Sequence, residues 1–249
     1  MEVQDNLLRS KKNYQALQKN KDRKNTKMNN KPILIIIEGI DGTGKTTQTA
    51  LLIERLKKKG YQTANLDFPQ YNKSLFGKMV ARYLKGEFGN SNEVNPYFSS
   101  LLYALDRYEA KLKLLQWLKE KKIVILNRYV TANLIHQSIK VAVKKRAAFI
   151  RWIERTEYQI LGLPKPNLVV YLSLPYTLAC ALIEKRGNAK DIHEADKAHL
   201  KHAALQGMRL AKKKKNWHTI QCSKGEKILS KKEIGEQIWR LVRSNLKNF

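Results

Sequence analysis

At 249 residues, 43% of them hydrophobic, the chain is long enough to close one core of ordinary size and too apolar to be a disordered or collagenous polymer. Its 49 Lys+Arg against 21 Asp+Glu give a formal charge of +28, which raises affinity for any polyanion without choosing among nucleic acid, acidic lipid and phosphorylated small molecules. No apolar run reaches the roughly 20 residues that cross a bilayer, the start is polar, and Cys180 and Cys222 match no metal-ligand spacing, so a soluble, cytoplasmic protein with reduced thiols is expected.

Residues 1–31 hold nine of the basic residues and three acidic ones, lack Gly and Pro, and carry only scattered apolar positions such as Leu7 and Leu17. They read as a basic, polar, flexible extension ahead of a single catalytic domain at 32–249. Most of the positive excess is spread along that domain, so a nucleic-acid partner is not required to account for it.

From Pro32 the texture changes. Ile33-Leu34-Ile35-Ile36-Ile37 is the unbroken apolar run of a strand buried on both faces. A glycine-rich exit leads into a helix over Thr46 to Lys59, with Leu51, Leu52, Ile53 and Leu56 in helical spacing and a basic last turn before Gly60. Gln62 to Phe68 reads as a second strand, Leu75 to Lys85 and Pro96 to Glu120 as helices, and Ile123 to Leu126 as a third strand. Phe149 to Leu161 is helical, Leu168 to Leu174 a fourth strand, and Thr177 to Lys185 a helix. His199 to Lys215 is another helix, Thr219 to Cys222 a fifth strand, and Lys231 to Leu246 the closing helix. This alternation predicts an α/β fold with a parallel, about five-stranded sheet flanked by helices.

Gly39-Ile40-Asp41-Gly42-Thr43-Gly44-Lys45-Thr46 matches G-x-x-x-x-G-K-[ST] between a strand and a helix, the context in which that pattern cradles a polyphosphate. Glycines let successive backbone N–H groups turn inward at a helix N-terminus, Lys45 would bridge the transferring and leaving phosphates, and the Thr46 hydroxyl suits Mg²⁺. The ATP-binding set is therefore Gly39, Ile40, Asp41, Gly42, Thr43, Gly44, Lys45, Thr46 and Thr47. Such a loop leaves the acceptor open. Tyr103 and Arg107, four apart on a helix, share a face and could hold a base by stacking and hydrogen bonding. Arg128 follows the third strand directly, at the sheet end where α/β proteins bind ligands.

Several ordered motifs carry a family likeness. Ile37 to Thr47, Phe68-Pro69-Gln70-Tyr71, Leu102 to Glu109, Asn127 to Gln137, Pro166 to Arg186 and Asp191-Ile192-His193-Glu194 together make the chain from Ile33 to Leu246 resemble the thymidylate kinases. The resemblance implies a P-loop kinase fold with a short basic lid at about 186–198, and transfer of the ATP γ-phosphoryl group to dTMP in a homodimer. It implies that Tyr103 stacks on thymine, that Arg107 and Asn133 contact the base, and that Arg128 grips the acceptor phosphate. Phe68, Tyr71 and His136 would complete the dTMP site, and Asp41 would meet the sugar 3′-hydroxyl or a metal-bound water. Gly42 leaves the loop without a cation of its own, so Arg186 or Lys190 of the lid would supply one, and Arg186 joins Lys45 and Arg128 as the catalytic set. Three positions depart from the pattern: Asn127 where Asp is usual, which bears on its part in holding Mg²⁺, Gln70 where Arg is frequent, and His136 where another aromatic guards the sugar. Two alternatives stand beside this reading: a kinase for another pyrimidine nucleotide or deoxynucleoside, and a P-loop protein that binds nucleic acid under ATP control.

Overall fold

The computed structural model describes residues 31–90, 93–187 and 191–248. The extension at 1–30 and Lys190 of the expected lid lie outside the described residues. Five parallel strands form one sheet in the order β2-β3-β1-β4-β5. They are β1 (Ile33–Glu38), β2 (Thr63–Asp67), β3 (Ile123–Asn127), β4 (Leu168–Ser173) and β5 (Trp217–Gln221). β1 lies at the centre and every one of its residues is buried, because helices cover both faces and leave no solvent side to alternate toward. The register aligns Ile37 with Asn127, the last residue of β3, which in turn aligns with Asp67, the last residue of β2, so these three strands end together where the phosphate loop begins, while β4, paired to Ile37 at Val170, runs on to Ser173.

The helices are α1 (Lys45–Lys58), α2 (Leu75–Leu84), α3 (Pro96–Glu109), α4 (Lys111–Lys119), α5 (Val143–Glu154), α6 (Tyr176–Arg186), α7 (Lys197–Lys213) and α8 (Lys231–Asn248). The single helix expected over Pro96 to Glu120 is broken at Ala110, although no Gly or Pro marks the place. The break leaves Glu109 free to cap α2, where its carboxylate accepts from the N–H groups of Leu75 and Phe76 at 3.1 and 3.0 Å. α5 starts at Val143, ahead of the expected Phe149, and continues as a π-helical stretch over Arg155–Ile160. The fifth strand begins at Trp217, ahead of Thr219, and is followed by a short hairpin, β6 (Ser223–Lys224) with β7 (Lys227–Ile228), that periodicity did not signal. Nor did it signal the helical run over 130–140, which is α-helical at Val130–Ala132, π-helical at Asn133–Gln137 and 3₁₀ at Ser138–Lys140.

The main core gathers β1, β3 and β4 with the inner faces of the surrounding helices, and a satellite cluster of Val80, Tyr83, Leu84, Val94 and Leu102 joins α2 to α3. Cys180 and Cys222 are both free, and burial pushes the Cys222 thiol up to about 12. Among the described residues no helix is long and apolar enough to cross a membrane.

Candidate active site

The β1–α1 loop folds around its own lysine. Lys45 is buried, and its Nζ donates to the carbonyls of Gly39 and Ile40 at 2.9 Å each, with Asp41 at 3.5 Å. Burial and the nearby Arg128 pull the Lys45 ammonium down to about 8, against the opposing pull of Asp41 and Glu38. Gly44 enters α1 from the left-handed region at φ 82°. Gly42 also has φ 82°, and a Cβ there would lie 2.6 Å from the Ala179 carbonyl of α6, so no side chain can stand at that position without moving the helix. Thr43 is buried and its hydroxyl donates to the Ile40 carbonyl at 2.8 Å, tying the turn shut. Beneath the loop, Glu38 accepts from Thr131 Oγ1 at 2.5 Å and from the Gly39 N–H at 3.0 Å. Burial raises its carboxyl, with Lys45 and Thr131 working the other way.

Two cavities open from this loop and share Asp41, Phe68, Pro69, Arg128 and Asp191 in their walls. One is a crevice over the phosphate loop, lined by Gly42, Gly44, Lys45, Thr46 and Thr47 and reached by Tyr71, Asn127, Arg186 and Glu194. The other runs under α3 and is lined by Tyr103, Arg107, Asn133, His136, Gln137 and His193. They meet at an ion pair between Asp41 and Arg128. Burial works against both charges, but Arg128 and Lys45 hold the Asp41 carboxyl well below the usual carboxylate range, and Asp41 holds the guanidinium above its own.

The crevice wall carries two further contacts. Asn127 Nδ2 donates to Thr46 Oγ1 at 3.2 Å, while Asn127 Oδ1 is buried without a hydrogen-bond partner. Arg186, in the last turn of α6, donates from Nη2 to both carboxylate oxygens of Glu194, at 2.9 and 2.8 Å, while its side chain stays 44% exposed.

In the other cavity Arg107 is 1% exposed and binds Glu157 with two parallel bonds, Nε to Oε2 at 2.6 Å and Nη2 to Oε1 at 2.8 Å. Asn133 donates from Nδ2 to the same Oε1 at 2.9 Å and to the Ser100 carbonyl at 3.0 Å. Asp106, next to Arg107 in sequence, turns away from the cavity to accept from the Gln70 N–H at 3.1 Å and from Ser74 Oγ at 2.6 Å, which anchors the loop carrying Phe68 and Tyr71. His136 stacks on His199, ring centroids 5.4 Å apart and 15° from parallel, and His199 stacks on His193 at 4.3 Å. Burial lowers all three imidazoles, His199 to about 4.

The sequence profile of the thymidylate kinase family matches residues 37–234. The chain belongs to the thymidylate kinase family. Thymidylate kinase of Mycobacterium tuberculosis is 33% identical over 169 residues, which cover 66% of this chain and 78% of that relative. A probable thymidylate kinase of Pyrococcus abyssi is 27% identical over 214 residues, covering 85% of this chain and 96% of its own length. The solved structure of thymidylate kinase from Candida albicans shares the fold with a TM-score of 0.67 at 19% identity, over 86% of this chain and 92% of the other.

Within this family framework, the candidate site residues described by the structure border one cavity or the other, apart from Gly39, Ile40 and Thr43, which shape the loop, while Gln70, singled out where Arg is frequent, lines neither and bonds Asp106 instead. Glu157 and His199 escaped the sequence reading altogether, while Glu38, Asp191, His193 and Glu194 lay inside quoted motifs without a role of their own. Glu157 did leave a trace, because Phe149, Ile153 and Glu157 recur every four residues and the first two are core positions. A carboxylate in such a stripe must be paired.

Proposed function

We propose that this chain carries out its family's reaction, the ATP-dependent phosphorylation of dTMP to dTDP, across the wall where the two cavities meet. The carrying observation is the Asp41–Arg128 pair, which borders both the phosphate-loop crevice and the cavity of Tyr103, Arg107 and Asn133. On this reading ATP lays its phosphates on the inward N–H groups of the loop, and Lys45 exchanges the Gly39 and Ile40 carbonyls for phosphate oxygens. The thymine ring enters the second cavity between Tyr103 and Phe68, with its polar edge toward Arg107 and Asn133 and its sugar near His136 and Asp41. Its 5′-phosphate reaches Arg128, and Tyr71 closes the same side.

An oxygen of the dTMP phosphate attacks the γ-phosphorus, a new P–O bond forms, and the bond to the ADP oxygen breaks. Alignment and charge neutralisation supply the catalysis, with no covalent intermediate on the protein. Lys45 and Arg128 neutralise the transferring group from below and from the acceptor side. Arg186 does so from α6, the helix that excludes any side chain from Gly42. The buried, unpartnered Asn127 Oδ1 beside the Thr46 hydroxyl suits a hard cation with oxygen ligands. Thr46 would hold Mg²⁺ there and Asn127 would act through its water shell, the ion supplying positive charge to the phosphate oxygens.

The reading includes a homodimer, supported by the exposed apolar side chains Leu101, Tyr108, Leu112 and Leu115 along α3 and α4. It also includes a cytoplasmic location, which the two free cysteines fit. The test is ADP release from ATP with dTMP, dUMP, dCMP and thymidine as acceptors. Turnover highest with dTMP is expected; release that no nucleotide acceptor stimulates would overturn the assignment.

A further inference from the structure

Resting on the acceptor cavity as read above, we infer that Glu157 is the positioning residue that makes this cavity accept a 4-keto pyrimidine and refuse a 4-amino one. Glu157 comes from the π-helical stretch that follows α5 and is 1% exposed. Its two oxygens accept from Arg107 and from Asn133, the two polar side chains that face a base edge.

The consequence lies in what those two groups have left. Asn133 directs its amide nitrogen at Glu157 Oε1 and at the Ser100 carbonyl, both of them acceptors, so both amide hydrogens are committed. Turning the amide over would set oxygen against two oxygens in a buried site. The group Asn133 offers the cavity is therefore Oδ1, an acceptor. Arg107 has no acceptor at all, and after its two bonds to Glu157 it offers only N–H. The wall is thus one acceptor beside donors. Thymine and uracil present the complement, an N3–H donor next to a C4 carbonyl. Cytosine reverses both, with a bare N3 against Oδ1 and an amino group against the guanidinium. Sites built on such hydrogen bonds reject the mismatched partner by large factors, because each unmatched polar group stays buried. Glu157 touches no substrate; it acts by denying Asn133 its other orientation and by holding Arg107 in plane.

The decisive comparison uses dTMP and 5-methyl-dCMP, which share the methyl group and differ only along this edge. The full chain should prefer dTMP by a factor on the order of 10³ or more in kcat/KM. Glu157→Gln puts a donor where Asn133 or Arg107 needs an acceptor, and should narrow that preference by about tenfold or more while leaving the KM for ATP unchanged. Glu157→Asp keeps the buried charge and the fold but withdraws the carboxylate from Asn133, and should narrow it in the same direction by less. A structural role alone would lower turnover of both nucleotides together and leave their ratio intact. A folded Glu157 variant with the parental ratio overturns the inference. Absence of dTMP turnover in the parent overturns instead the functional reading beneath it.

Discussion

Arg128 reaches Asp41 from a backbone at φ 63°, in the left-handed region that side chains rarely adopt. The turn falls at the strand end: the Arg128 N–H still donates to the Ile37 carbonyl at 3.1 Å, the last rung of the β1–β3 ladder, so the guanidinium leaves the sheet beside the start of the phosphate loop. A Cβ in that conformation costs roughly 1–2 kcal/mol. Arg128→Gly and Arg128→Ala both lose the guanidinium, so both should raise the KM for dTMP at least about tenfold, the scale of one lost charge-assisted hydrogen bond. They should differ in stability, with the glycine variant more stable than the alanine variant by roughly 1 kcal/mol in urea unfolding. Equal stability would show that the turn carries no strain, and an unchanged KM would remove Arg128 from the acceptor phosphate.

Asn127 donates to Thr46 where a carboxylate would accept from it. Asn127→Asp reverses that bond and adds a negative charge behind the metal position, worth on the order of 1 kcal/mol at an effective dielectric near 20. The Mg²⁺ concentration for half-maximal rate at fixed ATP should therefore fall severalfold without a change in acceptor preference. A raised dTMP KM with an unmoved Mg²⁺ midpoint would mean that the new carboxylate pairs with Arg128 instead.

The parts legible in the sequence were those whose cause is local. A β-branched run, the glycines and Lys45-Thr46 each announce themselves within a few residues, and the four-residue spacing of Tyr103 and Arg107 does put both beside one cavity. The illegible parts depend on distant register. Glu157 lies 50 residues from Arg107 and reaches it through a π-helical stretch that no periodicity announces. The break at Ala110 lacks a helix breaker, and Glu109 gains its capping role only because α2 begins there in space. The histidine stack draws one ring from the 130–140 run, one from the segment before α7 and one from α7 itself, so no window of sequence contains it.

Lys45 offers a prediction in protons. With its ammonium lowered to about 8, roughly half of the free protein should carry it uncharged at pH 8. Phosphates arriving beside it favour the charged form and raise its affinity for the proton. Binding of an ATP analogue at pH 8 should therefore take up about half a proton, and much less at pH 6.5, where the lysine is already charged. Calorimetry in buffers of different ionisation enthalpy measures this directly. Lys45→Met should abolish the uptake; uptake that survives the substitution belongs to another group.

The stacked histidines make acid sensitivity a property of the fold. Burial and then Lys140 lower His199 to about 4, against an ordinary value of 6.5, with Asp196 and Asp41 pulling back and His202 adding to the fall. His136 and His193 are lowered too, by burial and by His199, with Arg128 and Lys45 also facing His136 and Lys140 facing His193. The unfolded chain therefore binds more protons than the native one between those two values. Stability from the stack is complete above about pH 6.5 and drains as pH falls toward 4, at up to about 1.4 kcal/mol per pH unit for one proton. Glu38, Asp106 and Asp191 have raised carboxyls, which bind protons more readily in the fold and pull the other way. The test is consequently a difference: urea unfolding of the parent and of His199→Gln at steps between pH 7 and 4.5. His199→Gln keeps a polar group beside His136 Nδ1, now 3.2 Å from His199 Nε2, but cannot titrate. The variant should lose less stability than the parent across that range, and the gap should open below pH 6.5. Parallel curves would show that the protons are taken up elsewhere.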